Sequence, residues 1–321
     1  MVIDGHNDLV LKRWRGEEGR HIDLETAADA GFAGGFFALY VPSPYNADPP
    51  APPYAMPLAA EVPFDEAARV ADELFETLCA MPVRQARSIG DFRAGEVAAI
   101  VHLEGAEAIA EDLSNLRDWY DRGLRSVGIV WSRPNAFAHG VPFAFPASPD
   151  TGPGLTDAGG ALVRACNDLG ILVDVSHLNE RGFWDVVETS DRPVVATHSN
   201  AHALCPSTRN LTDAQLDAVR GSGGVVGVNF AVTFLREDGL NDVEGTGLDE
   251  IVRHVDYLAD RMGIDHVAFG SDFDGAAVPA ALGGVSGLPS LVELLRERYE
   301  ADEVDRITHA NWLRVLGETW R

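Results

Sequence analysis

Cysteine is scarce in this chain: Cys79, Cys166 and Cys205 are the only three in 321 residues, far apart and without paired spacing. That excludes a disulfide framework and a thiolate metal cluster, and it suits a reducing compartment. Long apolar runs are also missing. No stretch approaches the roughly 18 uninterrupted apolar residues that cross a bilayer. The first residues leave no room for a charged segment followed by an apolar one, and the last carry no apolar tail. The expectation is a cytoplasmic protein with no membrane partner. Basic residues are in deficit, 25 against 50 acidic ones for a formal net charge of -25 at pH 7, which argues against nucleic acid as a partner. With 46% hydrophobic and 23% charged residues the composition is that of a folded domain. There is no internal repeat and no low-complexity tail.

What is present is a rhythm. Short runs rich in Val, Ile and Phe recur, most of them followed by a helical pattern, the signature of βα units on a parallel sheet. Eight such runs are legible: Val2 to His6, Gly35 to Val41, Val97 to Leu103, Leu124 to Trp131, Ile171 to Val175, Pro193 to Thr197, Gly224 to Asn229 and His266 to Gly270. Amphipathic stretches lie between them, among them Phe64 to Ala80, Leu155 to Leu169, Thr212 to Arg220 and Leu248 to Met262. Eight strands in this order predict an α/β fold closed as a (β/α)8 barrel, a TIM barrel, over residues 1–321 as one domain. Two segments read as loops over the barrel mouth. Residues 42–63 carry eight prolines together with Tyr45 and Tyr54, and residues 133–153 are rich in Gly and Pro.

Catalytic groups in such barrels sit at the C-terminal ends of strands, and here those ends are polar. His6 and Asp8 flank Asn7, so the two-residue side-chain period sends both into one space. Glu104 ends an apolar strand and has two oxygens, enough to bridge two cations. His177 and His198 each terminate an apolar run. Imidazole and carboxylate donors without thiolate suit zinc, manganese or iron. Two divalent ions, zinc as the expectation, held by His6, Asp8, Glu104, His177 and His198 and bridged by Glu104 and a hydroxide roughly 3.5–4 Å from ion to ion, make hydrolysis the natural reaction class. Asp272 is the best-placed carboxylate to carry the proton, with Asp274 as runner-up. His102 shares the parity of Glu104 and reads as a supporting or core histidine, and His202 reads as structural. Arg209, followed by Asn210 in a loop, offers a fork for a substrate carboxylate.

The motifs that carry these residues also carry a family likeness. Asp4-Gly-His-Asn-Asp-Leu9, Leu103-Glu-Gly105, Gly154-Leu-Thr-Asp157 running through Asn167 to Ser-His177, His198-Ser-Asn-Ala201, Arg209-Asn210, Gly224 to Phe230, Gly270-Ser-Asp-Phe-Asp-Gly275 and Asn311-Trp-Leu-Arg-Val-Leu316 follow one another in order. Through them the chain resembles the membrane (renal) dipeptidases, a branch of the amidohydrolase superfamily, nearly end to end. The resemblance implies one zinc on His6 and Asp8, a second on His177 and His198, Glu104 between them, Arg209 on the substrate carboxylate, Asp272 as proton carrier, and a homodimer. One position departs. Where the family's dipeptidases carry a histidine that contacts the scissile carbonyl, this chain has Trp131, at the edge of the substrate site. Either His139 or Arg133 reaches in from the following loop, or the substrate differs from ordinary dipeptides.

The expected activity is therefore hydrolysis of dipeptides, including those with a D-residue at the C-terminal side. The alternatives are another amide or ester, such as an N-acyl amino acid or a lactone, and a barrel that binds a ligand without turnover.

Overall fold

The computed structural model describes residues 1–43, 50–93 and 95–320. Tyr45 and the rest of residues 44–49 in the first proline-rich loop lie outside the described residues. Eight parallel strands form the barrel: β1 (Val2–Asn7), β2 (Phe32–Tyr40), β3 (Ala98–Glu104), β4 (Leu124–Gly128), β5 (Leu172–Asp174), β6 (Val195–Ala196), β7 (Val225–Val228) and β8 (Val267–Phe269). Each pairs with the next, and β8 closes on β1 with Asp4 opposite Phe269. This is the (β/α)8 barrel that the eight apolar runs predict. The strands are apolar almost throughout because helices cover their outer face and the barrel interior their inner one.

The inner face changes character along the axis. Its lower layer is Phe36, Ala98, Ile100, Leu172, Val195, Val225 and Ala268, packed with Trp312 of the C-terminal helix Asn311–Thr319. Trp312 is fully buried and its indole N–H donates to the Phe269 carbonyl at 3.0 Å. Two residues further along the same strands the side chains become polar: His102 and Glu104 above Ile100, Asp174 above Leu172, Thr197 above Val195, Asn229 above Gly227. The two-residue period thus carries these inward polar groups to the C-terminal end.

Most strand ends fall within one or two residues of the sequence pattern, and two differ by three, each for a local reason. β2 starts at Phe32, not Gly35, because Gly34 takes φ of 112° where a Cβ would lie 1.8 Å from the Ala98 carbonyl oxygen. A Gly pair that reads as a boundary is instead a point of close backbone approach. β4 stops at Gly128, three residues short of Trp131, because Gly105 and Ala106 bond the carbonyls of Gly128 and Ile129 and a turn from Trp131 to Arg133 follows.

The helices Phe64–Ala80 and Leu248–Met262 span the residues their periodicity predicts. Asp157–Leu169 and Asp213–Gly221 start after Thr156 and Thr212, whose hydroxyls accept from the backbone N–H of Gly159 and Gln215. Residues Tyr54–Ala55 pair antiparallel with Ala144–Phe145, so the two proline-containing loops meet in a short ribbon. No helix of the described residues is long and apolar enough to cross a membrane.

Candidate active site

Glu104, the last residue of β3, stands at the centre of the polar layer. Its Oε2 faces His6 Nε2 at 3.6 Å, and its Oε1 faces His177 Nε2 at 3.1 Å and His198 Nε2 at 3.6 Å. Asp8 Oδ2 lies 3.3 Å from His6 Nε2 on the first side. The five residues expected to hold metal are thus brought together, all buried, with one glutamate oxygen turned to each half of the set. His6, Asp8 and Asp272 form a second ligand-competent group.

The hydrogen bonds behind the histidines test whether this set fits a cation. Thr197 Oγ1 gives its single hydrogen to Asp174 Oδ2 at 2.5 Å, so it can only accept from His198 Nδ1 at 2.8 Å. The Nε2 of His198 is then a bare lone pair. His177 Nδ1 is held by Ser132 Oγ at 2.9 Å, and the two Nε2 atoms stand 3.0 Å apart. Both rings are kept neutral, since burial, together with His6 and Arg209, drives their pKa values well below the ordinary histidine range. Two neutral imidazoles with converging nitrogens beside a shared carboxylate are the donor chemistry of a divalent metal, and the outer hydroxyl and carboxylate partners fix the ligand orientation. The carboxylates reinforce this. Burial disfavours a charge on His6, but Glu104, Asp8 and Asp272 override it and raise its pKa. Burial with the charges of Asp8 and Asp272 raises that of Glu104. A crowd of buried acids of this kind calls for cationic charge.

His102 lies beneath this layer. It bonds Ser126 Oγ at 3.0 Å, sits 5.8 Å edge-on from the His6 ring, and burial lowers its pKa to about 4, in keeping with a supporting role. His202 bonds the Ala147 carbonyl and braces a loop.

Asp272 lies three residues beyond β8, half-buried, with its backbone N–H on the His6 carbonyl at 3.1 Å and φ of 60°. His177 and Asp274 share that left-handed conformation, with φ of 67° and 65°, and among the described residues only Leu113 joins them outside glycine. Strained residues at strand ends over a cavity mark a functional surface. Asp274 also lines the cavity, but its Oδ1 accepts the backbone N–H groups of Arg20 and His21 at 2.6 and 3.1 Å and so anchors the segment after β1. Gly275 passes so near that a Cβ there would lie 2.1 Å from Asp8 Oδ2 and 2.5 Å from Asp272 Oδ1. Gly275→Ala is accordingly expected to weaken divalent-metal affinity and any metal-dependent turnover by roughly 10- to 100-fold. Gly221→Ala, at a helix end with open space, leaves both unchanged; zinc titration and steady-state assay check the pair.

The cavity over the site measures about 370 Å³. One wall is aromatic: Trp131 lies 5.2 Å from Tyr40 and 5.6 Å from Phe143, and Phe143 stacks on Phe234 at 6.1 Å. Trp131 also sits 5.9 Å from the His177 ring. Neither residue expected to compensate for it lines the cavity. Arg133 is fully buried, donating to Glu107 Oε1 and the Val41 carbonyl, each at 2.8 Å. His139 sits half-buried in the loop behind.

Arg209 is buried beside the metal residues, its Nη2 donating to the His198 carbonyl at 3.1 Å and its guanidinium 5.5 Å from the Phe234 ring. Burial pulls its pKa down to about 10 against the pull of Asp272 and Glu104. It makes no ion pair with any described residue, and it is not itself among the residues that line the cavity. Asn210 is not brought to the cavity: its side-chain amide donates to the carbonyls of Cys205 and Phe234 at 2.8 and 3.0 Å and braces the loop that carries Arg209. Sequence reasoning missed Asp174, Thr197, Ser132 and Asn229. The first two and Asn229 share the inward parity of their strands, a signal that was available; Ser132 had none.

Comparison with known proteins agrees with this chemistry. The family model for membrane dipeptidase, peptidase family M19, matches residues 1–320. A metallo peptidase from Rhodobacter sphaeroides, solved with a phosphinate mimic of the dipeptide L-Ala-D-Ala, is 47% identical, with a TM-score of 0.95 and 99% of each chain covered. An uncharacterised protein encoded in the pqqA 5' region of Klebsiella pneumoniae is 52% identical over 226 residues, 70% of this chain and 83% of its own. Dipeptidase tcpJ of Claviceps purpurea is 31% identical over 231 residues, 71% of this chain and 52% of its own.

Proposed function

Since the chain belongs to the membrane dipeptidase family, peptidase family M19, we propose that it hydrolyses the amide bond of dipeptides with two divalent ions, zinc in the first instance, held by His6, Asp8, Glu104, His177 and His198. The observation that carries the reading is Glu104, with one oxygen toward His6 and the other toward His177 and His198. Bound there, divalent ions would supply a water of lowered pKa and Lewis-acid polarisation of the scissile carbonyl.

The chain's own residues do the rest. Asp272 takes the proton of the attacking water and hands it to the leaving amine. Arg209, buried and without a carboxylate partner among the described residues, holds the substrate carboxylate. The wall of Tyr40, Trp131, Phe143 and Phe234 keeps water off the peptide and receives its side chains. A C-terminal D-residue is part of the proposal, because the Rhodobacter relative was solved with a mimic of L-Ala-D-Ala.

Arg209→Met keeps the volume and removes the charge. A charge-assisted hydrogen bond is worth about 1.5–3 kcal/mol, so KM for L-Ala-D-Ala is expected to rise roughly 10- to 100-fold. The same variant should handle the C-terminally amidated dipeptide as the wild type does. Equal effects on both substrates would remove Arg209 from the carboxylate.

Trp131 favours a second reading, in which the same machinery acts on an N-acyl amino acid or a lactone. Neither His139 nor Arg133 lines the cavity, so this reading replaces an imidazole contact to the scissile carbonyl with an apolar surface. A panel of L-L and L-D dipeptides, N-acyl amino acids and lactones separates the two by kcat/KM.

A further inference from the structure

Asp272 is held by more than its own turn. Asn229, one residue beyond β7, donates from Nδ2 to Asp272 Oδ2 at 2.9 Å. Which end of that amide faces the aspartate is decided by its other bond, since Asn229 Oδ1 accepts the backbone N–H of Ala231 at 2.7 Å. The backbone of Asn229 is gripped in turn by Asn200. Asn200 Oδ1 accepts the N–H of Asn229 at 3.0 Å, and Asn200 Nδ2 donates to its carbonyl at 2.9 Å. Every atom that could rotate the donor away is thus engaged. On the other side, Asp272 Oδ1 passes over Gly275 and receives no hydrogen bond from any described residue.

We propose that Asn229 is a positioning residue that ties down Oδ2 of Asp272 and leaves Oδ1 as the oxygen that moves the proton. This rests on the reading of Asp272 as proton carrier. In the first half-reaction the O–H bond of the attacking water breaks, its proton passes to Oδ1, and its oxygen bonds the scissile carbon. In the second the proton leaves Oδ1 for the amine nitrogen as the C–N bond breaks, and Asp272 returns to a carboxylate. Two free oxygens would share the proton between productive and unproductive positions; one tied oxygen removes the unproductive half.

The test is a comparison of Asn229→Ala and Asn229→Asp with Asp272→Asn in the zinc-loaded protein, using L-Ala-D-Ala. The aspartate variant is isosteric and keeps an acceptor for Ala231, so the loop survives even if the alanine variant does not fold. Both Asn229 variants are expected to lose roughly 10- to 100-fold in kcat, a part of what general acid–base catalysis supplies. KM should stay within about twofold, and metal content should match the wild type, a split that a merely structural residue would not produce. An Asn229 variant that folds and keeps kcat within about threefold while Asp272→Asn is inactive would overturn the assignment alone. Loss of metal from both Asn229 variants would overturn it too, by making Asn229 a support of the ligands. If Asp272→Asn itself stays active, the proton-carrier reading falls and takes this inference with it.

Discussion

Asp272→Asn is expected to lower kcat for dipeptide hydrolysis by roughly 10²- to 10⁴-fold, the range that a positioned acid–base group contributes. The variant should leave KM nearly unchanged. The substitution keeps the shape, the left-handed turn and an acceptor for Asn229, so the backbone contacts to His6, Gly275 and Ala276 remain. What it removes is an oxygen able to take a proton. Because Asp272 also lies within reach of His6 and Asp8, metal content is measured on the same preparation. An asparagine enzyme with full metal and kcat within tenfold of wild type would mean that another group carries the proton, and Asp274 would be the next to test.

Removing the metals is the second large effect. Dialysis against a chelator should abolish turnover, and about two zinc ions per chain should restore it, with magnesium a poor substitute because imidazole nitrogens favour zinc and its neighbours. Stability should move as well. Asp8 and Glu104 stand 3.3 and 3.6 Å from His6 Nε2, Asp272 lies within reach of His6 and Asp8, and the Nε2 atoms of His177 and His198 converge to 3.0 Å. Three carboxylates around one imidazole leave a site of net negative charge that a bound cation would neutralise. Binding to the native state alone adds about 2.7 kcal/mol when free metal is 100-fold above its Kd. For a domain of this size that is on the order of 5 °C in Tm. Differential scanning fluorimetry with and without zinc reads it. A chelated protein with unchanged Tm and unchanged activity would remove the metals from both the fold and the reaction.

The likeness to the Rhodobacter peptidase bears on substrate more than on mechanism. Its phosphinate ligand mimics a dipeptide whose second residue is D, and the cavity here has an aromatic wall, with Arg209 buried behind it against the His198 carbonyl and the Phe234 ring. Tyr40 is part of that wall because β2 and β3 run in register, which sets it beside Glu104.

The sequence alone determined the chemistry's alphabet. Apolar runs ending in His6, Glu104, His177 and His198 are local facts, since a strand buried on both faces must be apolar and a polar residue survives only where the strand emerges. Strand count and order followed from the same periodicity, even for β6, whose ladder is only two residues long. The tertiary structure decided what those residues do to one another. Closing the barrel sets Ser271 against Asp4, 267 positions away. It also puts Asn229 on Asp272, Thr197 between Asp174 and His198, and Arg209 in the interior against the His198 carbonyl instead of at the surface. It sent Arg133 to Glu107 and Asn210 to its own loop. Hydrogen bonds of this kind depend on register, strand tilt and the direction of loops, none of which a one-dimensional pattern of apolar and polar residues encodes. Which oxygen of a carboxylate is tied and which is free therefore became legible only once the strands stood side by side.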